Sequence, residues 1–437
     1  MIENVQLYFD ADHAPVFSQV YGASYLKEEP LNCIQVEQGI IMPMTRSKAN
    51  FHRYEYGVLD EDGRYIEASG KYLEAFSDHK LPPQIPYRDE VVVFGGYIPD
   101  HYGHFLLETT IRLWYFLEKR TQGQKLCFFT SLNDIPKFAK DFFELLEINQ
   151  QDIILVRGYT RFQKVIIPEP SFVWWQYYTK EFLIPFRKAA KNVVAGNDER
   201  IYLSRRNCEL TAKAFGEDDI EEVMNANGFK SVEFQFMSLR EQISAIKGAK
   251  VIAGINGTAM HNVLFSTSKP EVVVFNRSET PDSQYIINDA AECSSIVVQT
   301  FNNPLRVIHG IGPFIVGATN EFIRFCKDRG MTCTAEPLKT DKWLPYFMLR
   351  YLQKYKPLAA FKLLVDEGKF TRETYDFIKS YRRSTCSRAS LWSKRTAYLV
   401  MRGKLRSKLR RKYKVLKEAR RATKFIIANY NAVFTDN

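Results

Sequence analysis

Residues 200–275 decide the fold of this chain. The stretch opens with an apolar run that ends in two arginines, IYLSRR (201–206), and closes with the glycine turn GINGTAMHNVLF (254–265) and a second apolar run at 271–275. Between them, the pattern predicts a helix at 218–227, a strand at 231–235 and a helix that starts with the capping box SLRE (238–241). Alternation of this kind predicts a mainly parallel sheet covered by helices on both faces.

Both ends of this stretch favour an anionic ligand. Arginines at a strand end present planar donor forks to phosphate oxygens, and a Gly-x-x-Gly turn exposes backbone N–H groups at the start of a helix. Because ligands of parallel sheets bind at the carboxyl ends of the strands, both features face one site. We therefore expect Arg205 and Arg206, with the N–H groups of Gly257 and Thr258, to hold an anionic group such as a phosphate.

A second alternating region begins at residue 91. It predicts strands at 91–94, 125–129, 153–156 and 164–167, a helix at 135–146, and a helix at 101–119 with Asp100 as its N-cap. His101, His104 and Glu108 lie on one face of that last helix, at positions i, i+3 and i+7. Such a face supplies a general base with an orienting carboxylate. Two zinc ligands, or polar residues capping a buried helix, are the alternatives.

Composition and charge limit the class of protein. The 437 residues, 45% hydrophobic and 14% aromatic, predict a folded protein of two to three domains. The seven cysteines form no C-x-x-C pair, which favours reduced thiols in the cytoplasm. The sequence shows neither a signal peptide at its start nor an uninterrupted apolar run long enough for a transmembrane helix.

The net charge of +11 is concentrated near the C-terminus. Residues 382–437 hold 17 Lys and Arg against two acids, whereas the preceding 381 residues carry a net charge of −4. Apolar residues recur at helical spacing between 391 and 416, which predicts an amphipathic basic helix. It suits an anionic membrane surface or an acidic polymer, and a solvated helix is the alternative. Nucleic-acid binding would explain this tail but not the acidic body, so no nucleic-acid partner is expected.

Several further patterns bear on the chemistry. The acidic triplets DAD (10–12) and DED (60–62) resemble a DxD metal site, but each is expected from turn formation, so no metal is predicted. The aromatic segment FVWWQYY (172–178) is open to two interpretations, packing between domains or a sugar subsite. P-loop, nucleophile-elbow and H-E-x-x-H motifs are absent from the sequence.

Three blocks together resemble one family. GHFLLE (103–108), YLSRR (202–206) and G-x-N-G (254–257) continuing to N-x-L-F (262–265) are similar, in order and spacing, to the signature blocks of family 61 glycosyltransferases, whose bacterial members are described as capsular polysaccharide biosynthesis proteins. The resemblance implies an inverting transfer from a nucleotide sugar, two facing Rossmann-like domains of the GT-B type, and no obligatory metal or other cofactor. At the position of Asn256 the family usually has a histidine. The amide of asparagine cannot take up and release a proton as an imidazole does, and His261 lies one helical turn further along the chain.

These observations give one set of expectations. The fold is α/β and GT-B-like, with a β-rich N-terminal segment (1–90), an acceptor-side Rossmann-like domain (91–175), a nucleotide-sugar-binding domain (176–335) and a helical basic extension (336–437). His104 is the expected base, oriented by Glu108 or Asp100. The expected donor-binding residues are Arg205, Arg206, Gly254, Asn256, Gly257, Thr258, His261 and Asn262. The expected partners are a nucleotide sugar and a glycan or lipid-linked glycan acceptor. A catalytically inactive scaffold in a polysaccharide assembly complex is the alternative.

Overall fold

The computed structural model describes residues 5–46, 54–70, 80–207, 214–305, 307, 312–340, 342–343, 347, 350–351, 372–384, 417, 420–421, 423–424 and 427–428. Within them the strands are β1 (Val5–Tyr8), β2 (Cys33–Glu37), β3 (Ile40–Arg46), β4 (Tyr54–Leu59), β5 (Tyr87–Tyr97), β6 (Lys125–Phe129), β7 (Ile153–Val156), β8 (Thr160–Pro168), β9 (Phe172–Val173), β10 (Tyr177–Tyr178), β11 (Arg200–Leu203), β12 (Ala214–Phe215), β13 (Lys230–Val232), β14 (Val251–Ile255), β15 (Glu271–Asn276), β16 (Ser294–Gln299) and β17 (Phe314–Ile315).

The α-helices of the described residues are α1 (Ala14–Tyr21), α2 (Tyr102–His104), α3 (Leu113–Glu118), α4 (Lys137–Leu145), α5 (Ile184–Lys191), α6 (Glu217–Ala226), α7 (Leu239–Gly248), α8 (Gln284–Ala290), α9 (Asn320–Asp328) and α10 (Arg372–Ser384). A π-helical turn (Phe105–Thr109) and a 3₁₀ turn (Thr110–Arg112) join α2 to α3. A 3₁₀-helix (Thr258–Phe265) follows β14 directly.

The strands form two main sheets, which confirms the predicted α/β class with parallel sheets. The second sheet has the order β1-β16-β15-β14-β11-β13, and all of its pairs are parallel. The first has the order β4-β3-β8-β5-β6-β7, with β2 also on β8. Its centre, β8-β5-β6-β7, is parallel, whereas β2, β3 and β4 are antiparallel additions. Central strands buried on both faces explain the uninterrupted apolar runs in the sequence.

The N-terminal 90 residues are divided between the two sheets and do not form the separate segment that was expected. β1 pairs with β16, so that Val5 lies opposite Ser295, while β2, β3 and β4 extend the first sheet. Beyond β4 the chain turns back on itself: Leu59 and Tyr65 form an isolated antiparallel bridge, and the N–H of Ile66 donates to the carbonyl of Val58 at 3.0 Å. A strand as short as β1 is stabilised by pairing with the edge of an existing sheet, and its sequence does not specify which edge.

A single apolar core joins the two sheets. The ring of Phe265, from the 3₁₀-helix after β14, lies 6.0 Å from the Phe142 ring on α4 and 5.3 Å from the Phe186 ring on α5. All three side chains are fully buried. Aromatic rings at these distances contribute beyond their burial, so the helices that cover the two sheets are packed as one layer.

The C-terminal region is described only in part. The basic amphipathic helix predicted at 391–416 lies outside the described residues. Among the helices that the structure does describe, none has the length and apolar character needed to cross a membrane.

Candidate functional site

The N-terminal half of the site lies where β5 ends and α2 begins. The N-cap of α2 is His101, whose ring Nδ1 accepts a hydrogen bond from the backbone N–H of His104 at 3.4 Å. Asp100 was the expected N-cap, but the helix begins at Tyr102, so Asp100 lies one residue before the N-cap position. A histidine in place of the usual Ser, Thr, Asp or Asn brings a titratable ring to this helix start.

His104 and Glu108 form a hydrogen-bonded pair. Nδ1 of His104 lies 2.6 Å from Oε1 of Glu108, four residues later across the π-helical turn. Glu108 is 6% exposed, whereas His104 is 48% exposed. An ionised carboxylate accepts a hydrogen bond from Nδ1–H, and Nε2 is then the ring nitrogen that points away from Glu108. The buried acid therefore orients a solvent-facing ring as a proton acceptor.

The neighbouring His101 favours the neutral form. Its ring centroid lies 4.9 Å from that of His104. Burial lowers the pKa of His101 first, and the nearby imidazole of His104 lowers it further. Arg205 lowers the pKa of His101 as well, whereas the carboxylates of Asp100 and Glu108 act in the opposite direction.

The C-terminal half of the site is organised around Gly257. Arg205 follows β11, where its backbone N–H donates to Oε1 of Glu217 at 2.7 Å and its Nη1 donates to the carbonyl of Asn256 at 3.3 Å. A Cβ added to Gly257 would lie 1.9 Å from Nη1 of Arg205, and the backbone φ of Gly257 is +153°. Only glycine allows the guanidinium to approach this closely.

Arg277 was not among the residues expected from the sequence. It follows β15 directly, is 6% exposed, and its Nη1 has no hydrogen-bond partner among the described residues. That nitrogen lies 3.4 Å from the position of a Gly257 Cβ, and the guanidinium stacks 4.5 Å from the Phe314 ring. Burial, and next the charge of Arg205, lower the pKa of Arg277 to about 9, although Asp282 and Glu217 act in the opposite direction. An arginine directly after a buried strand was the available signal, at the same sheet edge as Arg205.

Arg206 has a different environment from its neighbour. Its Nε lies 3.5 Å from Asp218 and its Nη1 3.7 Å from Glu221, both on α6. Successive residues of an extended chain point to opposite sides, so Arg206 faces α6 while Arg205 faces Gly257.

Asn256 and Gly254 act within the core. Asn256 is 3% exposed and its Nδ2 donates to Oδ1 of Asn276 at 3.4 Å, while its Oδ1 has no partner among the described residues. Its contribution to the site is the backbone carbonyl that accepts from Arg205. A Cβ at Gly254 would lie 2.9 Å from Sδ of Met260 and 3.1 Å from Cβ of Leu203, so this glycine permits close packing between β14 and its neighbours.

The two halves of the site touch each other. Tyr102 donates its hydroxyl hydrogen bond to Oδ1 of Asn262 at 2.7 Å, and a Cβ at Gly103 would lie 2.9 Å from Oγ1 of Thr258. His261 is 5% exposed with Nδ1 2.9 Å from Oε1 of Gln284, and burial lowers its pKa. Thr258, His261 and Asn262 thus lie at the junction of the two halves.

The acidic triplets serve as turn caps. Oδ1 of Asp10 accepts from the backbone N–H groups of Asp12 and His13, and Oδ1 of Asp60 accepts from those of Asp62 and Arg64. Across the part of the chain that the structure describes, three or more His, Cys, Asp or Glu side chains do not converge on a point that could hold a metal ion.

Comparison with known proteins finds a family match that covers most residues of this site. Residues 102–275 match the family model described as Glycosyltransferase 61. Among similar solved structures is the crystal structure of a bacterial iron-containing dodecameric glycosyltransferase, TibC from enterotoxigenic E. coli H10407, with 11% sequence identity, a TM-score of 0.21, and coverage of 67% of this chain and 86% of that chain. No curated protein matches the sequence significantly.

Proposed function

We propose, from the premise that this chain carries a family 61 glycosyltransferase domain at residues 102–275, an inverting and metal-independent transfer of a sugar from a nucleotide-sugar donor to a glycan acceptor. The family match confirms the resemblance found in the sequence, and it makes the protein a glycosyltransferase. What we propose beyond this is the inversion of the anomeric centre, the binding of the diphosphate without a metal ion, and the glycan acceptor.

The observation that carries the proposal is the convergence of two arginines on Gly257. Nη1 of Arg205 and Nη1 of Arg277 both lie within 3.4 Å of the position of a Gly257 Cβ, and the latter nitrogen has no partner among the described residues. Like charges held this close in a buried site are stabilised by an anion between them. The diphosphate of a nucleotide sugar supplies that anion, and the same charges stabilise the leaving diphosphate in the role that a divalent cation plays elsewhere.

The acceptor is activated from the opposite half of the site. Nε2 of His104 takes a proton from an acceptor hydroxyl as the oxygen attacks the anomeric carbon, and Glu108 stabilises the imidazolium that forms. Attack from the side opposite to the diphosphate is a single in-line displacement, which inverts the anomeric centre. One all-parallel sheet and one sheet with a parallel centre carry these two halves, which supports the GT-B arrangement.

The basic C-terminal segment supports a location at a membrane surface. The 17 Lys and Arg of residues 382–437 suit the anionic inner face of a membrane, where a lipid-linked glycan or a growing capsule or other surface polysaccharide is extended from the cytoplasm. Sedimented anionic liposomes should retain the full chain, whereas a version that ends at residue 380 should stay in the supernatant. Equal retention of the two would contradict a membrane role for this segment.

Donor binding is the most direct test of the function. A panel of UDP-, GDP- and CMP-sugars should include one that raises the melting temperature of the protein, and Arg205→Ala should lose that shift. Arg200→Ala is the matched control, since Arg200 lies at the other end of the same strand and donates to the carbonyl of Asn227. A panel without any stabilising donor would favour the inactive scaffold instead.

A further inference from the structure

The turn between β9 and β10 has a backbone that its sequence does not favour. It runs from Val173 to Gln176, and the N–H of Gln176 donates to the carbonyl of Val173 at 3.0 Å. Trp175, the third residue of this turn, has a φ of +59°. Glycine or asparagine normally occupies a turn position with positive φ, because side chains with a Cβ are strained there. A tryptophan in this conformation is explained better by what its side chain does than by stability.

The two tryptophans of the turn are only partly used in packing. Trp175 is 51% exposed. Its ring centroid lies 5.5 Å from that of Trp174, whose Nε1–H is buried and has no hydrogen-bond partner among the described residues. Indole N–H groups in proteins are usually paired. The pair therefore presents an exposed aromatic face beside an unused donor.

The base of the turn is firmly attached to the helical segment that carries the proposed catalytic base. Both the N–H and the Oγ of Ser171 donate to the carbonyl of Ile111, at 2.9 and 2.8 Å, and the N–H of Thr179 donates to the carbonyl of Ser171 at 2.8 Å. These bonds fix where the tryptophans lie relative to His104. The ring centroid of Trp174 is 6.2 Å from that of His104.

We propose that the Trp174–Trp175 turn is the acceptor subsite and that it binds a pyranose ring. The apolar C–H face of a pyranose fits the exposed indole face of Trp175, and a hydroxyl oxygen entering beside the turn is the kind of acceptor that the buried Nε1–H of Trp174 lacks. A ring held there has a hydroxyl within reach of His104. The inference rests on the proposed function, because it takes His104 to be the group that activates the acceptor.

The test uses the full chain labelled with 5-fluorotryptophan and a panel of methyl glycosides of hexoses, hexosamines and uronic acids. The sequence holds five tryptophans, so the Trp175 signal is identified as the one missing from Trp175→Gly. We expect one or more glycosides to move the Trp175 and Trp174 signals, and Trp175→Gly to bind that glycoside at least about tenfold more weakly. No movement of the Trp175 signal with any glycoside, or equal binding by Trp175→Gly, would overturn the proposal.

Stability separates binding from packing. Because glycine relieves a positive φ, Trp175→Gly should melt at or above the wild-type temperature. A fall in melting temperature would indicate that the ring mainly packs. Gln38→Gly is the control, since Gln38 also has a positive φ, +52°, and lies outside the site. It should leave glycoside binding unchanged.

The two proposals fail separately. If nucleotide sugars do not bind while glycosides still move the Trp175 signal, the donor site is wrong and the carbohydrate subsite stands. If nucleotide sugars bind and no glycoside moves the signal, the subsite is wrong and the transferase proposal stands. Once the donor is known, Trp175→Gly should raise the KM for the acceptor more than it lowers kcat.

Discussion

The two halves of the site differ in how their charges are balanced. In the N-terminal half, His104 is paired with the buried Glu108 at 2.6 Å. In the C-terminal half, Arg205 and Arg277 face the same glycine, and Nη1 of Arg277 has no partner among the described residues. A ring that must keep one orientation benefits from a permanent partner, whereas a group that must receive an anion benefits from leaving its donors unpaired. The proposed function follows this difference, since it assigns proton transfer to the paired half and diphosphate binding to the unpaired half.

The largest effect is expected at the paired half. His104→Ala should lower the rate of transfer about 10³-fold, because a positioned base contributes 10²- to 10⁴-fold. Glu108→Gln, which keeps an oxygen for Nδ1 but removes the charge, should cost only about tenfold. Transfer rates at saturating donor measure both. His13→Ala is the control, since His13 pairs with Asp10 in the same way but at a turn cap; undiminished transfer by His104→Ala would remove it as the base.

Steric exclusion at Gly257 is expected to have the next largest effect. Gly257→Ala should reduce transfer about 10²-fold, because the new Cβ would lie 1.9 Å from the guanidinium of Arg205 and would displace it. The control is Gly228→Ala, since Gly228 also has a positive φ, +84°, but its Cβ would meet open space. Equal losses in the two variants would mean that backbone strain, and not Arg205, accounts for the effect.

The protein should be more stable when the buried charge of Arg277 is removed. Arg277→Met is expected to raise the free energy of unfolding by about 1–2 kcal/mol, since a buried unsatisfied donor costs that much, and to lose any donor-induced thermal shift. Arg112→Met is the contrasting variant, because Nη2 of Arg112 donates to the carbonyls of Ala68 and Gly70, even though its buried Nε has no partner among the described residues. Urea denaturation should show Arg277→Met stabilised and Arg112→Met destabilised. A destabilised Arg277→Met would indicate that its stacking on Phe314 outweighs the unpaired charge.

The smallest effect is expected at Glu217, which accepts a hydrogen bond from the backbone N–H of Arg205. It is a dependence of the free energy of unfolding on pH. Burial raises the pKa of Glu217 to about 7. Because the folded protein binds this proton more tightly than the unfolded chain, the contribution of Glu217 to stability is full at low pH and is lost as the pH rises from about 4.5 through 7. The decline is roughly 1 kcal/mol per pH unit at its steepest. Glu217→Gln should flatten this part of a curve of unfolding free energy against pH, and an unchanged slope would contradict a raised pKa.

Short-range features of the fold could be predicted from the sequence. The strand before Arg205, the strand into the glycine turn and the capping box at Ser238 all depend on neighbouring residues, and all three are present. The pairing of His104 with Glu108 follows from helical spacing in the same way. Local periodicity and capping chemistry contain enough information for features of this kind.

Features that depend on distant partners could not be predicted. Arg205 and Arg206 were both expected to bind the anion, and only the position of α6 shows that Arg206 pairs with carboxylates there. The inward direction of Asn256 depends on Asn276, on the neighbouring strand. Arg277 carries no motif, and its importance comes from the closeness of β14 and β15 at Gly257. Side-chain direction at a sheet edge is set by neighbouring strands that sequence spacing does not reveal.

The pairing of β1 with β16 has a consequence for how the protein is made. Val5 lies opposite Ser295, which is synthesised much later, so β1 has no edge to join until β16 has been made. Contacts of such sequence separation form slowly, and an unpaired apolar strand is prone to associate with other chains meanwhile. A bulky group attached beside β1 would therefore disturb the sheet that contains β14 and β15, although these strands lie far along the sequence.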